Sequence, residues 1–142
     1  MKIISVMNTK GGVGKTTLTA CLAVHVANQG HKVGILDLDS SGSLRKWYGR
    51  RAGSSLPNPN PELLVDAERT SEAAESLRLT SPYDYLVCDG LPGSLIVTED
   101  AVKSSDLVIV PMRGSSLDMA SSEDAIALCM EFGTPYLIVL NF

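Results

Sequence analysis

The chain has 142 residues, 44% hydrophobic and 20% charged, with a formal net charge of -4, which is enough for one domain with a real core and is an ordinary globular composition. The acidic balance excludes a surface given over wholly to nucleic acid, though it leaves room for a local basic patch. No apolar run approaches the ~20 residues that span a bilayer, and the opening "MKIISVMN" lacks the long apolar region and cleavage site of a secretory signal, so a cytoplasmic protein without a membrane partner is expected.

Apolar, β-branched runs recur at "KIISVM", "KVGILDL", "YDYLVCD", "DLVIVPM" and "YLIVLNF", with helix-like segments between most of them. This alternation predicts an α/β fold, a mostly parallel twisted sheet with helices on both faces, built as a single domain over 1–142. After the first run a helix should open near Gly14, continue through "KTTLTACLAVHVANQG" and stop at Gly30 as its left-handed C′ residue. It is apolar nearly all round and is expected to be buried against the sheet.

Residues 49–61, "GRRAGSSLPNPNP", read as an irregular surface excursion. "ELLVD" then suggests a short strand and "SEAAESLRL" a helix. The last helix is expected from about Asp118, its N-cap, to Phe132, with Gly133 ending it and Pro135 behind. The chain stops at Phe142 directly after an apolar strand, which predicts an exposed apolar edge or face, left by a shortened chain or covered by another one. Cys21, Cys88 and Cys129 lie far apart in apolar segments and read as small buried hydrophobes, neither a disulfide framework nor a metal site.

The stretch "MNTKGGVGKTTLTA", residues 7–20, joins the first strand to the first helix. A strand, a Gly-rich turn and a helix beginning Lys-Thr gather backbone N–H groups and the positive end of the helix dipole around one point, which suits a polyphosphate. Gly11, Gly12 and Gly14, with Val13 between them, let the backbone approach the phosphates. Lys15 is placed to reach the β- and γ-phosphates, Thr16 to ligate Mg2+, and Thr17 completes the nucleotide-binding run. The ordinary G-x-x-x-x-G-K-[ST] spacing puts Gly where this chain has Thr9, and it does not explain Lys10.

In "ILDLDSSGSLRKW", Asp37 and Asp39 alternate, so on an extended chain both side chains point the same way at the strand's C-terminal end, the edge where open α/β sheets bind ligands. The alternative is that one or both cap the turn "SSGS". "YDYLVCDG" ends in Asp89, one carboxylate at the tip of a buried strand, suited to hold Mg2+ through water. The "GLPGSL" behind it has the Gly and Pro of a loop that responds to the γ-phosphate. Arg45, Lys46, Arg50 and Arg51 cluster near Trp47 and Tyr48, as solvated surface or as a DNA contact.

The run "KGGVGKTT", residues 10–17, resembles the deviant Walker A motif of the ParA/MinD/nitrogenase-iron-protein ATPases. "SDLVIVPMRGSSLDMAS", "DG-x-x-G-S-L" at 89–95 and "GSLRKW" at 42–47 resemble the small plasmid-type, ParF-like ParA proteins, and these matches run over essentially the whole chain. The resemblance implies a weakly active partition or positioning ATPase that dimerises on ATP, with Lys10 reaching across the homodimer to neutralise charge on the partner's ATP. A lysine supplied in trans makes hydrolysis depend on dimerisation.

It further implies that Lys15 is catalytic, that Asp39 orients or deprotonates the attacking water, that Asp37 and Asp89 hold the water shell of Mg2+, and that Asn141 contacts adenine. A ParB-like centromere-binding partner and non-specific DNA, hence the nucleoid, come with it. The segment "DLDSS" departs from the usual "DLDPQ" of the family. A MinD-like membrane cycle calls for a C-terminal amphipathic helix, and a nitrogenase-type reductase for paired cluster cysteines, which Cys88 does not match. Two other classes stay open: a small-molecule kinase or ligase of the dethiobiotin synthetase type, and a non-hydrolysing ATP-dependent scaffold.

Overall fold

The computed structural model describes residues 1–54, 61–64, 70–114 and 116–141. In chain order the elements are β1 (Lys2–Val6), α1 (Lys15–Asn28), β2 (Val33–Asp37), α2 (Ser43–Ala52), β3 (Glu62–Leu64), α3 (Thr70–Thr80), β4 (Tyr85–Asp89), α4 (Leu95–Ser104), β5 (Leu107–Met112), α5 (Ser116–Phe132) and β6 (Tyr136–Leu140). Among the described residues the sheet is six-stranded and parallel throughout, in the order β3-β2-β4-β1-β5-β6. The five apolar runs are its strands, and "ELLVD" supplies β3, although residues 65 and 66 lie outside the described part.

Successive strand residues point to opposite faces, so the sheet sorts its apolar side chains into two cores. On one face Ile3, Leu36, Leu86, Val108 and Val110 meet Ala74 of α3, Ala101 and Val102 of α4, and Ala125 and Cys129 of α5. On the other, Val6, Val33, Ile35, Val87 and Ile109 meet Ala20 and Ala23 of α1 and Leu44 of α2. The central strands are buried on both sides, which is why their sequences are continuous apolar runs rather than alternating ones.

Helix α1 starts and stops where its glycines place it: Gly14 is the N-cap, and the Gly30 N–H closes onto the Ala27 carbonyl at 3.0 Å. Its burial is less complete than its composition suggests. Thr19, Ala20 and Ala23 face the sheet, whereas Cys21, a further 100° round the helix, is exposed. The expectation of three buried cysteines therefore holds for Cys88 and Cys129 alone, whose thiols burial pushes up to about 12 and about 11.

The polar segment after β2 is also more ordered than the sequence suggests. Helix α2 continues through Gly49 to Ala52, into the stretch expected to be irregular; residues 55–60 of that stretch lie outside the described part. Leu44 explains the helix. It is fully buried, worth ~1.5–3 kcal/mol relative to exposure, and Trp47, Tyr48 and Arg51 follow it on the same helical face. Helix α5 begins at Ser116, ahead of Asp118, so Asp118 lies within the helix and is not its N-cap. It ends at Phe132 with Gly133 at φ 67°, as expected.

The sheet's edge strand β6 exposes Tyr136, Leu137, Ile138 and Leu140, the apolar edge that the sequence predicts, and Val139 alone packs against the α1 side. Among the described residues no helix is long and apolar enough to cross a membrane.

Candidate functional site

The parallel register brings three strand ends to one height: Val6 pairs with Asp89, and Asp89 with Asp37. The loop from β1 to α1 rises at this edge. Its first residues are pinned from below by Asn8, which is 1% exposed. The Asn8 amide donates to the Pro111 carbonyl at 2.8 Å and to Ser122 Oγ at 2.9 Å, while its Oδ1 accepts from the Lys10 N–H at 2.8 Å. Thr9 adds two more ties. Its hydroxyl donates to the Ser121 carbonyl at 2.8 Å, and its own carbonyl accepts the Gly93 N–H, also at 2.8 Å. The loop is thus fixed to β5, to α5 and to the segment between β4 and α4.

The sequence reading passed over Asn8 and treated Thr9 as a mere departure from the common motif. The available signal was a polar amide directly after a strand whose end is otherwise apolar, a position where an unpaired amide is too costly to persist.

Gly12 and Gly14 adopt φ of 75° and 96°, and Val13 between them is buried, so the loop curls with its middle side chain anchored in the interior. Gly14 is required twice over. Its φ is left-handed, and a Cβ there would run into the Asn141 amide. Arg113, just past β5, donates to the Gly12 carbonyl and braces the loop from its outer side.

Lys15 is buried at the first turn of α1, and its ammonium donates to the Lys10 carbonyl at 2.7 Å. Burial holds its pKa below the ordinary lysine value, against the opposing pull of Asp89 and Asp39. Lys10 is half-buried on the same loop, and Thr16 is half-buried and near enough to Asp89 for its hydroxyl to oppose the rise in that carboxyl's pKa. Gly11 and Thr17 lie exposed on either side of the loop's curl.

Asp37 and Asp89 are both 0% exposed. Asp89 accepts from the Thr19 hydroxyl at 3.3 Å, and Asp37 accepts from the Asp39 N–H at 3.0 Å. One oxygen of each, Asp37 Oδ2 and Asp89 Oδ2, has no hydrogen-bond donor among the described residues. The Arg45 guanidinium stands 3.7 Å from Asp37 Oδ2, within ion-pair range and beyond a hydrogen bond. Burial raises both carboxyl pKa values, that of Asp89 to about 6.

Two buried carboxylates with orphaned oxygens beside a glycine loop suit a hydrated cation. Among the described residues no cluster of three or more His, Cys, Asp or Glu could hold a metal by itself; Mg2+ is an ion commonly held by one or two carboxylates together with substrate phosphates. Thr16, Asp37 and Asp89 are the residues that fit such an ion.

Asp39 departs from the expected geometry. Strand β2 ends at Asp37, and Asp39 lies in the turn beyond it, where its carboxylate accepts the Ser41 N–H at 2.8 Å and its carbonyl accepts the Gly42 N–H at 3.2 Å. It caps the approach to α2, yet it is close enough to Lys15 to act on that charge. Gly90, next to Asp89, donates its N–H to the Val6 carbonyl at 3.1 Å, and a Cβ there would stand 2.7 Å from that same oxygen. The chain must therefore be glycine where it turns from β4 into the following loop.

Asn141 arrives at the loop from the far side of the sheet. Its N–H donates to the Met112 carbonyl at 2.8 Å and its amide to the Val13 carbonyl at 3.0 Å. With Thr17, Leu18, Pro111 and Val139 it lines a cavity of about 220 Å3 beside the glycine loop. The basic cluster does not act as one patch: Arg45 faces Asp37, Arg51 turns toward α1, and Lys46 and Arg50 remain exposed.

Comparisons with known proteins give the family and the fold of the chain. A family model described as VirC1 protein matches residues 1–134. The chain is 30% identical over 120 residues to Protein virC1 of Rhizobium radiobacter, covering 84% of this chain and 52% of that protein. It is 31% identical over 147 residues to the maintenance of carboxysome distribution protein A of Gloeobacter kilaueensis, covering 99% and 62%. With the chromosome partitioning protein ParA of Caulobacter vibrioides it shares 26% identity over 150 residues, covering 80% and 56%. The chain thus spans between 52% and 62% of the length of these curated relatives.

Among solved structures, the MinD cell division protein of Aquifex aeolicus superposes with a TM-score of 0.78 at 22% identity, covering 99% of this chain and 69% of that one. A plasmid partition protein of Borrelia burgdorferi bound to AMPPNP gives 0.73 at 22%, covering 98% and 73%. Cobyrinic acid a,c-diamide synthase of Mycobacterium smegmatis with bound ADP and magnesium gives 0.75 at 21%, covering 99% and 74%. At these identities the structural likeness shows the fold.

Proposed function

Since the chain belongs to the VirC1 family, among relatives that are ParA/MinD-type partition and positioning ATPases, we propose that it binds ATP with Mg2+, hydrolyses it slowly and pairs with a second copy of itself across the nucleotide. The single observation that carries the reading is the pair of orphaned oxygens, Asp37 Oδ2 and Asp89 Oδ2, buried beside Lys15 at the mouth of α1. In this reading Lys15 leaves the Lys10 carbonyl for the β- and γ-phosphates. The main-chain amides from Gly11 to Thr17 hold the phosphate chain, and Asn141 borders the base. Thr16, Asp37 and Asp89 hold the ion, which supplies positive charge to the phosphates. Asp39 gives up Ser41 to orient the attacking water, and Lys10 adds its charge to the partner's ATP.

The cargo follows the relatives. One is named for chromosome partitioning and another for carboxysome distribution, so DNA or a large protein body is the class of object moved, with a ParB-like adaptor as partner, non-specific DNA as track and the cytoplasm as compartment. The fold is shared with an enzyme named for acid amidation, and a small-acid-dependent ATPase is therefore the reading to exclude.

The test is phosphate release and size-exclusion chromatography with ATP, ADP or no nucleotide, in Mg2+ or EDTA, with and without duplex DNA. An ATP-specific dimer whose turnover per chain rises with protein concentration is expected. A monomer in ATP with concentration-independent turnover overturns the pairing, and turnover stimulated by a small carboxylic acid and not by DNA overturns the partition reading.

A further inference from the structure

Away from the glycine loop, helices α1 and α2 border an open cleft of about 380 Å3 that the nucleotide reading does not use. Its walls come from one stripe of each helix. Ala20, Val24 and His25 lie along α1, and Trp47 and Arg51 are one turn apart on α2, so helical spacing alone brings an apolar wall, an indole and a guanidinium to the same space. Cys21, the cysteine that is exposed, lines it as well.

The chemistry of this space is specific. Trp47 and Arg51 are half-buried, and Arg51 Nε is shielded from solvent with no hydrogen-bond partner among the described residues. A guanidinium nitrogen shielded without an acceptor is held at a cost, and a ligand carboxylate that turned Arg51 toward the cleft would supply the acceptor, with the ligand's flat apolar body against the indole. Volume agrees, since about 380 Å3 lies within the range of cavities that hold small organic molecules.

We propose that the α1–α2 cavity is a second ligand site, separate from the nucleotide site, for a small planar aromatic carboxylate, with the ring against Trp47, Ala20 and Val24 and the carboxylate on Arg51. Its consequence is local to α1: the ligand covers Cys21, which also borders the smaller cavity beside Asn141.

The sequence has one tryptophan and three cysteines, of which Cys88 and Cys129 are buried, so both readouts are single-site. The probe is 1-naphthoate, with the neutral 1-naphthamide as control. Titration into the full chain is followed by the Trp47 indole N–H resonance and by the rate of Cys21 alkylation with iodoacetamide. Naphthoate is expected to shift the indole signal saturably, to bind at least ten-fold tighter than the amide, and to slow Cys21 alkylation at least five-fold. Arg51→Gln is expected to abolish the preference for the acid while leaving amide binding unchanged.

Equal affinity for acid and amide in the unmodified chain overturns the proposal whether or not the variant folds. So does saturation without protection of Cys21, and so does competition by ADP, which places the anion on the phosphate loop.

Discussion

Asp37 and Asp89 are Cα partners on β2 and β4, both fully buried, and each keeps one carboxylate oxygen that no hydrogen-bond donor among the described residues meets. Burial, with the Asp37 charge adding to it, raises the Asp89 pKa from 3.8 to about 6. A carboxyl group whose folded pKa lies above its unfolded value holds its proton more tightly when folded. Its contribution to stability is therefore full below the unfolded value and is lost as pH rises through the folded one. Ligand-free protein is expected to lose on the order of 2 kcal/mol from this group between about pH 4 and pH 7. Asp89→Asn should flatten that slope in thermal melts, raise the ligand-free melting temperature at pH 7.5 by a few degrees, and remove the stabilisation that Mg2+ adds to nucleotide. An unchanged Mg2+ effect in Asp89→Asn removes this residue from the ion's site.

The two loop lysines should separate cleanly. Lys15 is buried with its ammonium on the Lys10 carbonyl, so Lys15→Ala deletes the charge proposed to meet the phosphates and is expected to weaken ATP binding by ~100-fold or more. Lys10→Ala is expected to bind ATP within a few-fold of the parent yet to lose ~100-fold or more in turnover, with no dependence on protein concentration. Equilibrium nucleotide titration and phosphate release across a concentration series check both.

Asp39 is engaged with Ser41 in the turn before α2, so the role in hydrolysis proposed for it calls for that turn to open. Asp39→Ala is expected to keep ATP binding and the ATP-dependent dimer while turnover falls ~100-fold. Chromatography with ATP and a turnover assay on the same sample decide it. Normal turnover assigns the water to another group.

Asn8 carries no chemistry of its own, and its substitution should still be felt at the site. Asn8→Leu removes two donated hydrogen bonds, to the Pro111 carbonyl and Ser122 Oγ, and the acceptor for the Lys10 N–H, all within a buried site. A loss of ~2–4 kcal/mol in denaturant unfolding and a ten-fold or greater weakening of nucleotide binding are expected. Full nucleotide affinity in a folded Asn8→Leu protein means that the loop does not depend on this anchor.

Gly14 and Asn141 can be tested as a pair. Gly14→Ala places a methyl group at a left-handed φ of 96° and against the Asn141 amide, with an expected cost of ~2–4 kcal/mol. Asn141→Ala in the same chain should restore the part due to the clash and leave the ~1 kcal/mol of backbone strain. Strict additivity of the two substitutions in a double-mutant cycle refutes the contact.

Legibility followed the reach of each signal. The curled glycine loop between β1 and α1 was readable because its glycines, Lys15 and Thr16 are contiguous, and each needs only the backbone next to it. Strands β1, β2, β4 and β5 were readable because burial on both faces leaves a long apolar run. Helix α2 was obscured because Gly49 and four basic residues hide a pattern that rests on Leu44, whose value depends on a sheet far away in sequence. Cys21 misled for the opposite reason: an apolar helix gives no clue to which of its sides meets the sheet. The basic cluster looked like one surface in sequence, and the fold sends its members to Asp37, to α1 and to solvent.

By itself, then, the order of residues determined the parallel α/β architecture, the glycine loop with its additional lysine, and the carboxylate at the tip of β4, since local patterning and a compact motif encode all three. Tertiary structure alone decided that Asp37 and Asp89 share one buried height, that Asn8 and Asn141 brace the loop from opposite sides, and that α1 and α2 leave a cationic aromatic cavity between them. Each of these depends on strand register or helix rotation, which are set by packing between segments dozens of residues apart and leave no mark on any one of them.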